Sequence, residues 1–235
     1  MHLLVDGLTC IPQEAWLHPE LRLHLPALEA LARNLDERKQ EQEPWEYGDA
    51  VLRAILWLEH KRIPDTRAYR VPFLSPEYCD KLLVEAAAIG EYAVNPDEET
   101  PYQIPELVVA EHCNNLHVSL SILFGRVFEA VCSVVYGHKP KIMRSIQFAK
   151  YTPENTAHGH WHVDEDSDIT AVVSLDPAAF DGGGTALKTG ALSCVEVPPL
   201  GKGHALLFHG KATLHKGLPV TSGVRDLLVF WSELK

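Results

Sequence analysis

The sequence lacks the surplus of positive charge that binding to nucleic acid usually requires. It contains 21 Lys and Arg residues against 32 Asp and Glu residues, which gives a formal net charge of −11 at pH 7. A phosphate backbone is bound largely by Lys and Arg side chains that replace its counterions. We therefore expect no nucleic-acid partner.

Paired cysteines and long apolar runs are also missing. The five cysteines are scattered and form no Cys-x-x-Cys motif, which argues against a zinc ribbon or a disulfide framework and favours reduced thiols. The N-terminus has no basic region of the kind that begins a signal peptide. No run approaches the ~20 apolar residues that a membrane span needs. We expect a cytoplasmic protein without a membrane partner.

The N-terminal part of the chain, residues 1–69, is predicted to be a helical extension. "PELRLHLPALEALARNLDERKQ" and "YGDAVLRAILWLEHKR" carry apolar residues with helical recurrence, and neither contains a chemical motif. Two interpretations stay open. The extension either packs on the main domain, which we favour, or forms a partner-binding layer compatible with a homodimer.

Residues 70–235 are predicted to form the main domain, with helices first and strands after Gly137. Ser75, Pro76 and Gly90 are typical of a helix's N-cap, first turn and end. "NNLHVSLSILFGRVFEAVCSVVYG" has the length and apolar density of a buried helix. Seven short strand-like segments then follow, separated by Gly, Pro and Asp turns, as in a sandwich or barrel. The predicted fold class is α+β with a mainly β core.

The segment "HGHWHVDEDSD", residues 158–168, holds three histidines and four carboxylates. If it is extended, His162 and Asp164 point to the same face because they lie two residues apart. They would then supply two of the three ligands of a two-His-one-carboxylate iron(II) site. The third ligand must come from the late strands, where the candidates are His204, His209 and His215.

An arginine favours His215 among these candidates. Arg225 lies ten residues after His215, across the turn "KGLPVTSG". We expect two antiparallel strands joined by this turn to bring both side chains into one barrel. A guanidinium held deeper in the barrel is suited to bind a dicarboxylate through a bidentate pair.

This spacing resembles that of the iron(II)- and 2-oxoglutarate-dependent dioxygenases, in the prolyl 4-hydroxylase-like superfamily. In residues 70–235, the segments "VPFLSPEYCDKLLVEAAAIGEY", "PYQIPELVVAEH", "QFAKYTPE", "FDGGGTAL", "PPLGKGHALLFHG" and "LHKGLPVTSGVRDLLVF" are similar, in order, to the procollagen lysyl hydroxylase catalytic domain. The resemblance implies a double-stranded β-helix (jelly roll) with supporting helices and the helical N-terminal extension. It also implies 2-oxoglutarate and O2 as cosubstrates, with ascorbate as an optional reductant.

Residue by residue, the resemblance makes His162, Asp164 and His215 the iron ligands. It makes Arg225 the anchor of the distal 2-oxoglutarate carboxylate and places Tyr151 near that cosubstrate. One departure is Thr170, in a strand where the family commonly has an asparagine.

The implied activity is hydroxylation of an amino-acid side chain, most readily lysine, in a peptide or protein or as the free amino acid. Three acidic residues and one aromatic residue beside the metal pair are candidates for binding a cationic substrate: Glu165, Asp166, Asp168 and Trp161. Two alternatives stay open. One is an oxygenase of the same fold that acts on another small molecule, and the other is a cupin-like metal-binding module without turnover or with zinc-dependent hydrolysis.

Overall fold

The computed structural model describes residues 12–37, 47–96, 103–156 and 159–234. Its α-helices are α1 (Pro19–Glu37), α2 (Asp49–Glu59), α3 (Pro76–Ile89), α4 (Val109–His112), α5 (Asn114–Tyr136) and α6 (Pro153–Thr156). Its strands are β1 (Tyr69–Pro72), β2 (Glu106–Val108), β3 (Ile142–Tyr151), β4 (Ile169–Ser174), β5 (Phe180–Gly182), β6 (Thr185–Lys188), β7 (Cys194–Val197), β8 (His204–Phe208), β9 (His215–Gly217), β10 (Val220–Gly223) and β11 (Arg225–Glu233).

The strands form one large sheet and two small ones. The large sheet has six antiparallel strands in the order β1-β8-β4-β11-β3-β2, and the small sheets are β7-β6-β9 and β10-β5. Along β11, residues with even numbers such as Leu228 and Phe230 are buried in the main core, whereas Arg225, Leu227 and Val229 line a cavity. This alternation follows from the two-residue period of a strand. The large sheet therefore has a helix-covered face and a cavity face.

Helix α3 begins and ends at the predicted residues. The Ser75 hydroxyl accepts a hydrogen bond from the backbone N–H of Tyr78 at 3.2 Å, and Pro76 occupies the first turn. Gly90 adopts the left-handed conformation (φ 70°) at the C-terminal end, which glycine reaches without a steric penalty. The predicted cap and stop are confirmed.

Helix α5 lies at the centre of the main core. The Phe128 ring packs against Phe73, which follows β1, at a centroid distance of 4.9 Å, and the Phe124 ring packs against Phe230 of β11 at 5.1 Å. By length and composition, α5 is apolar enough to cross a membrane, which the sequence analysis did not expect. Because 56% of its most apolar window is buried inside the protein, it is weak evidence for a membrane span.

The described N-terminal helices share this core. Leu21, Leu25 and Leu28 of α1 are buried in the same cluster as Phe124 of α5, while Leu23 between them is exposed. This inward stripe agrees with the favoured packing interpretation of residues 1–69. The domain boundary between residues 69 and 70 stays a prediction.

The predicted hairpin that joined His215 to Arg225 is wrong. Strand β9, which carries His215, pairs with β6, whereas β10 pairs with β5. Strand β11, which begins at Arg225, pairs with β3 and β4 of the large sheet. The turn at Pro219 therefore passes the chain between sheets, and His215 and Arg225 approach the cavity from opposite sides.

Candidate metal centre

Two histidines are fixed side by side by a backbone bridge. His162 and His215 exchange both N–H···O bonds, at 2.9 and 2.8 Å, and their ring centroids lie 4.3 Å apart. The Nδ1 atom of His162 lies 3.1 Å from the carbonyl oxygen of His160, and the Nδ1 atom of His215 lies 2.9 Å from that of Thr213. Because a carbonyl only accepts, Nδ1 carries the hydrogen in both rings. In the neutral form of each ring, Nε2 then presents a lone pair.

Asp164 completes the group. Its backbone N–H donates to the carbonyl of Gly210 at 3.1 Å. Its Oδ1 atom lies 3.8 Å from Nε2 of His162 and 3.6 Å from Nε2 of His215. The close packing of Asp164 and Thr170 against residue 210 requires glycine there, because an added Cβ would lie 2.6 Å from Oγ1 of Thr170 and 3.0 Å from Cβ of Asp164.

The three side chains fit a divalent metal ion. One ligand atom from each of His162, Asp164 and His215 lies within 4.8 Å of the other two. With both imidazoles in the Nδ1–H form, these atoms are acceptors without a hydrogen between them, so a cation relieves their repulsion. In a histidine that binds a metal, the ring nitrogen that does not contact the ion typically donates a hydrogen bond, which fixes the tautomer. Two imidazoles and one carboxylate are the donor set of the facial iron(II) sites.

Burial favours the neutral form of one ligand. His215 is 7% exposed, and this desolvation lowers its pKa, although the nearby Asp164 carboxylate acts in the opposite direction. Only the neutral imidazole has a lone pair for a metal. The environment of His215 therefore suits a ligand.

A chain of buried hydroxyls holds the other carboxylate oxygen of Asp164. Oγ1 of Thr170 lies 2.6 Å from Oδ2 of Asp164 and 2.9 Å from Oγ of Ser167. A carboxylate only accepts, so the single Thr170 hydrogen goes to Asp164 and Ser167 donates to Thr170. The backbone N–H of Ser232 donates to Ser167 at 3.2 Å. From the sequence, Thr170 was visible only as a departure from the family pattern, and this series of hydrogen bonds had no signal.

Arg225 is a buried cation on the other side of the cavity. Its side chain is 6% exposed, and Nη1 donates to the carbonyl of Gly184 at 2.8 Å. Its guanidinium carbon lies 5.7 Å from the ring centroid of Tyr151, its partner in the β11–β3 register. Burial lowers the pKa of Arg225. Within the described part of the chain, no carboxylate forms an ion pair with it, so Arg225 is suited to an anionic ligand.

The "DGGG" turn shapes the backbone around this arginine. Gly182, Gly183 and Gly184 all have positive φ, at 73°, 71° and 111°. A Cβ on Gly183 would lie 3.3 Å from Cδ of Arg225, and one on Gly184 would lie 2.5 Å from the carbonyl of Val197. The contact of this glycine segment with Arg225 is an addition from the structure.

One cavity of about 370 Å³ joins the metal-binding triad to Arg225. Small-molecule sites generally enclose roughly 300–1,000 Å³, so the space suits a compact cosubstrate and part of a second molecule. Of the other residues predicted from the sequence, Tyr151, Glu165 and Asp166 line the cavity, and Trp231 also lines it.

Trp161 and Asp168 do not line the cavity. The Trp161 ring contacts Nζ of Lys188 at 4.9 Å and Nζ of Lys216 at 5.1 Å. Asp168 accepts from the backbone N–H of Leu234, and this bond, with Lys211 at 3.0 Å, lowers its pKa. Both side chains are held elsewhere by these contacts, so a substrate role is not supported for either.

The rival histidine ligands also lie outside the triad. The ring of His204 packs against His18 at 5.0 Å, and that of His209 against Tyr136 at 4.2 Å. His160 lines the cavity beside His162, while His158 lies outside the described residues. The group within ligand distance is therefore the one that contains His215.

No family model matches the chain, and no curated protein sequence matches it. Solved structures do match. The α-ketoglutarate-dependent epimerase SnoN from nogalamycin biosynthesis gives a TM-score of 0.59 at 14% identity, over 77% of this chain and 83% of that one. A prolyl-4-hydroxylase from Pseudomonas putida gives 0.54 at 19%, over 72% and 92%. The viral collagen prolyl hydroxylase of Paramecium bursaria Chlorella virus-1, solved with 2-oxoglutarate, gives 0.51 at 21%, over 72% and 97%.

The chain has the fold of the 2-oxoglutarate oxygenases. In this double-stranded β-helix, the two small sheets face the large one across the cavity, and the described N-terminal helices support the large sheet from outside. The predicted fold class is confirmed. At these identities the likeness establishes the fold, and the chemistry of the site has to be argued from its own residues.

Replacing Thr170 with valine is expected to weaken divalent-metal binding about 10-fold, because partners that orient a metal ligand typically contribute 10- to 100-fold in affinity. Valine keeps the shape and removes the hydrogen bond to Asp164. Calorimetric titration with Mn(II) measures the change. Thr185→Val is the matched control, since Thr185 lines the same cavity without a hydrogen bond to Asp164. Equal affinities for both variants would contradict a role of Thr170 in holding Asp164.

Proposed function

We propose that this chain is an iron(II)- and 2-oxoglutarate-dependent dioxygenase that hydroxylates an amino-acid side chain, with lysine, in a peptide or free, as the leading substrate. One observation carries the proposal. The cavity that contains the converging His162, Asp164 and His215 also contains Arg225, a buried cation without a carboxylate partner among the described residues. A ligand that bridges the two must pair a metal-chelating end with a carboxylate, as 2-oxoglutarate does.

Each residue has a separate task in this proposal. Iron(II), 2-oxoglutarate and O2 together would supply the oxidation of a C–H bond to an alcohol, with release of succinate and carbon dioxide. His162, Asp164 and His215 would hold the metal, and Thr170 would keep Asp164 oriented. Arg225 would bind the distal carboxylate through two parallel hydrogen bonds.

The walls of the cavity would exclude water from this chemistry. Val172, Phe208, Leu227 and Val229 give the cavity apolar surface. Low polarity strengthens the charge pairing of Arg225 with a carboxylate. It also protects a reactive centre from side reactions with solvent.

The two other interpretations differ in what they leave unexplained. A metal-binding module, or a zinc hydrolase, has no use for a buried arginine that faces the metal-binding residues across a cavity. An oxygenase acting on another small molecule uses the same residues, so it is the second candidate. A mass-shift screen for one added oxygen, over peptides and free amino acids, separates it from the leading one.

The lysine assignment is supported by the charge of the cavity. Glu106, Glu165 and Asp166 line it, and Arg225 is the only lysine or arginine among the described lining residues. Local negative charge attracts cationic substrates. The similarity to lysyl hydroxylases comes from sequence landmarks, and with a cytoplasmic location it remains part of this proposal.

The test is succinate formation from 2-oxoglutarate by the full chain with iron(II) and ascorbate. We expect turnover that stops when iron is omitted or chelated, and that rises when an accepted substrate is added. The absence of iron-dependent succinate across a broad substrate panel would overturn the proposal.

Replacing Asp166 with asparagine is expected to raise the KM for a lysine-containing substrate by about threefold to tenfold, because it removes local charge that steers a cation. The KM for 2-oxoglutarate should stay constant, and the effect should shrink at high salt. Asp168→Asn is the control, since Asp168 faces Lys211 instead of the cavity. Similar KM changes for both variants, or for both substrates, would contradict steering by Asp166.

A further inference from the structure

Gln147 is a buried amide that faces the cavity. It lies in the middle of β3, between Val108 of β2 and Val229 of β11 in the sheet register. Its side chain is 8% exposed and lines the cavity. Among the residues that the structure describes, its amide has no hydrogen-bond partner. Its amide atoms are not among the enclosed polar atoms that lack a partner, so they open onto the cavity, where a ligand can bind to them.

Glu106 lies diagonally across from Gln147. In the register of β2 and β3, Glu106 is opposite Ala149 and Val108 is opposite Gln147. Residues paired in this way share a face, and diagonal neighbours lie about 7–8 Å apart. Glu106 also lines the cavity. An amide and a carboxylate on adjacent strands therefore face the same space from a rigid sheet.

This pair is separated from the place proposed for 2-oxoglutarate. Arg225 is opposite Tyr151 in the β11–β3 register, whereas Val229 is opposite Gln147. Four residues along a strand correspond to about 13 Å. The anionic ligand at Arg225 and a second ligand at Gln147 can therefore occupy the cavity together.

The chemistry of the pair indicates what it binds. The amide oxygen and the carboxylate both accept hydrogen bonds, and the carboxylate carries negative charge. A group that can bind to both has several N–H donors and a positive charge, as an alkylammonium or a guanidinium has. Ile104 and Trp231 line the same cavity and provide apolar surface for the aliphatic stem of such a side chain.

We propose that Gln147 and Glu106 form the subsite that binds the cationic head group of the primary substrate. This inference rests on the proposed oxygenase function and assigns specificity to two residues that no motif identified. Glu165 and Asp166 attract the cation at the exposed rim. Gln147 and Glu106 hold it inside, which fixes the C–H bonds of the stem relative to His162, Asp164 and His215.

The test measures binding without turnover. The full chain is loaded with Mn(II) and 2-oxoglutarate, and titrated with the methylamides of Nα-acetyl-lysine and Nα-acetyl-norleucine, its uncharged analogue. The corresponding arginine and citrulline pair is the second arm. We expect at least a 10-fold preference for one cationic probe over its neutral analogue, and the arm that shows it identifies ammonium or guanidinium as the ligand.

Variants assign the preference to the two residues. Gln147→Met and Glu106→Gln should each reduce it about 10-fold, in line with hydrogen bonds to charged groups, whereas Gln147→Glu should increase it. Glu196→Gln is the matched control, because Glu196 is exposed on β7 away from the cavity. Gln147→Met should not lower the Tm, since it removes no hydrogen bond between described residues; a lower Tm would mean that Gln147 serves the fold.

The outcomes separate this inference from the proposed function. No preference for either cationic probe, or an unchanged preference in Gln147→Met and Glu106→Gln, overturns the subsite. The same samples are titrated with 2-oxoglutarate alone. If wild type binds 2-oxoglutarate but shows no cation preference, the subsite alone is wrong. If wild type does not bind 2-oxoglutarate, the proposed function fails as well.

Discussion

Replacing Arg225 with alanine is expected to raise the Kd and KM for 2-oxoglutarate on the order of 100-fold, because truncating one partner of a buried charge pair typically costs 2–5 kcal/mol. Arg225 is 6% exposed and has a backbone carbonyl, that of Gly184, as its hydrogen-bond partner. Within the described residues, no carboxylate forms an ion pair with Arg225, so a bound ligand would supply its counter-charge. Titration of 2-oxoglutarate in the presence of Mn(II) measures the loss directly.

Two further measurements make this prediction specific. Arg225→Lys keeps the charge but loses the planar pair of donors, so its affinity should lie between those of wild type and Arg225→Ala. In wild type, 2-oxoglutarate should raise the Tm through preferential binding to the folded state, and Arg225→Ala should abolish this shift. Mn(II) affinity should be unchanged in both variants. Loss of Mn(II) binding would show that Arg225 supports the metal-binding residues and not the cosubstrate.

Replacing His162 with alanine is expected to reduce iron-dependent succinate formation by roughly 1,000-fold or more. This loss should exceed the 10- to 100-fold loss that typically follows replacement of a residue that only orients a metal ligand. His162 supplies one of three converging atoms, and its Nδ1 is already fixed by the carbonyl of His160. Without its Nε2, two protein ligands remain. Anaerobic titration with iron(II) and a succinate assay measure metal binding and turnover on the same preparation.

The matched control is His209→Ala, which removes one of the two histidines that were alternatives to His215 in the sequence. Its ring lies against Tyr136 and His138, at 4.2 and 5.1 Å. We expect its Tm to fall, since this packing is lost, while iron affinity stays within about threefold of wild type, as for a residue with no contact to the ligands. Iron binding lost in His209→Ala and kept in His162→Ala would overturn the assignment of the metal site.

The metal pair could be predicted from the sequence because its geometry is local. His162 and Asp164 are two residues apart, so spacing alone brings them to one side of an extended segment. His215 and Arg225 were found through a ten-residue spacing, but the hairpin inferred from it was wrong. The two residues lie on strands of different sheets. The hydrophobic periodicity of a strand does not indicate which sheet that strand joins.

The residues behind the site could not be predicted because their role depends on register. Thr170 and Gln147 occur in ordinary strand sequences, and their pairing with β11 decides what they face. Ser167 occurs in a turn and is held by the backbone N–H of Ser232. Asp168 and Trp161 show the opposite case. They are adjacent to the metal pair in sequence, yet lysines from distant segments hold them away from the cavity. Proximity along the chain was a poor guide there.

The division of the site between sheets also bears on how the protein holds its shape. His215 belongs to a sheet of three strands, whereas Arg225 belongs to the sheet of six that covers the main core. A molecule bound to both acts as a cross-link between a small sheet and a large one. We therefore expect the β7-β6-β9 sheet to be more rigid when metal and cosubstrate occupy the cavity than when they do not.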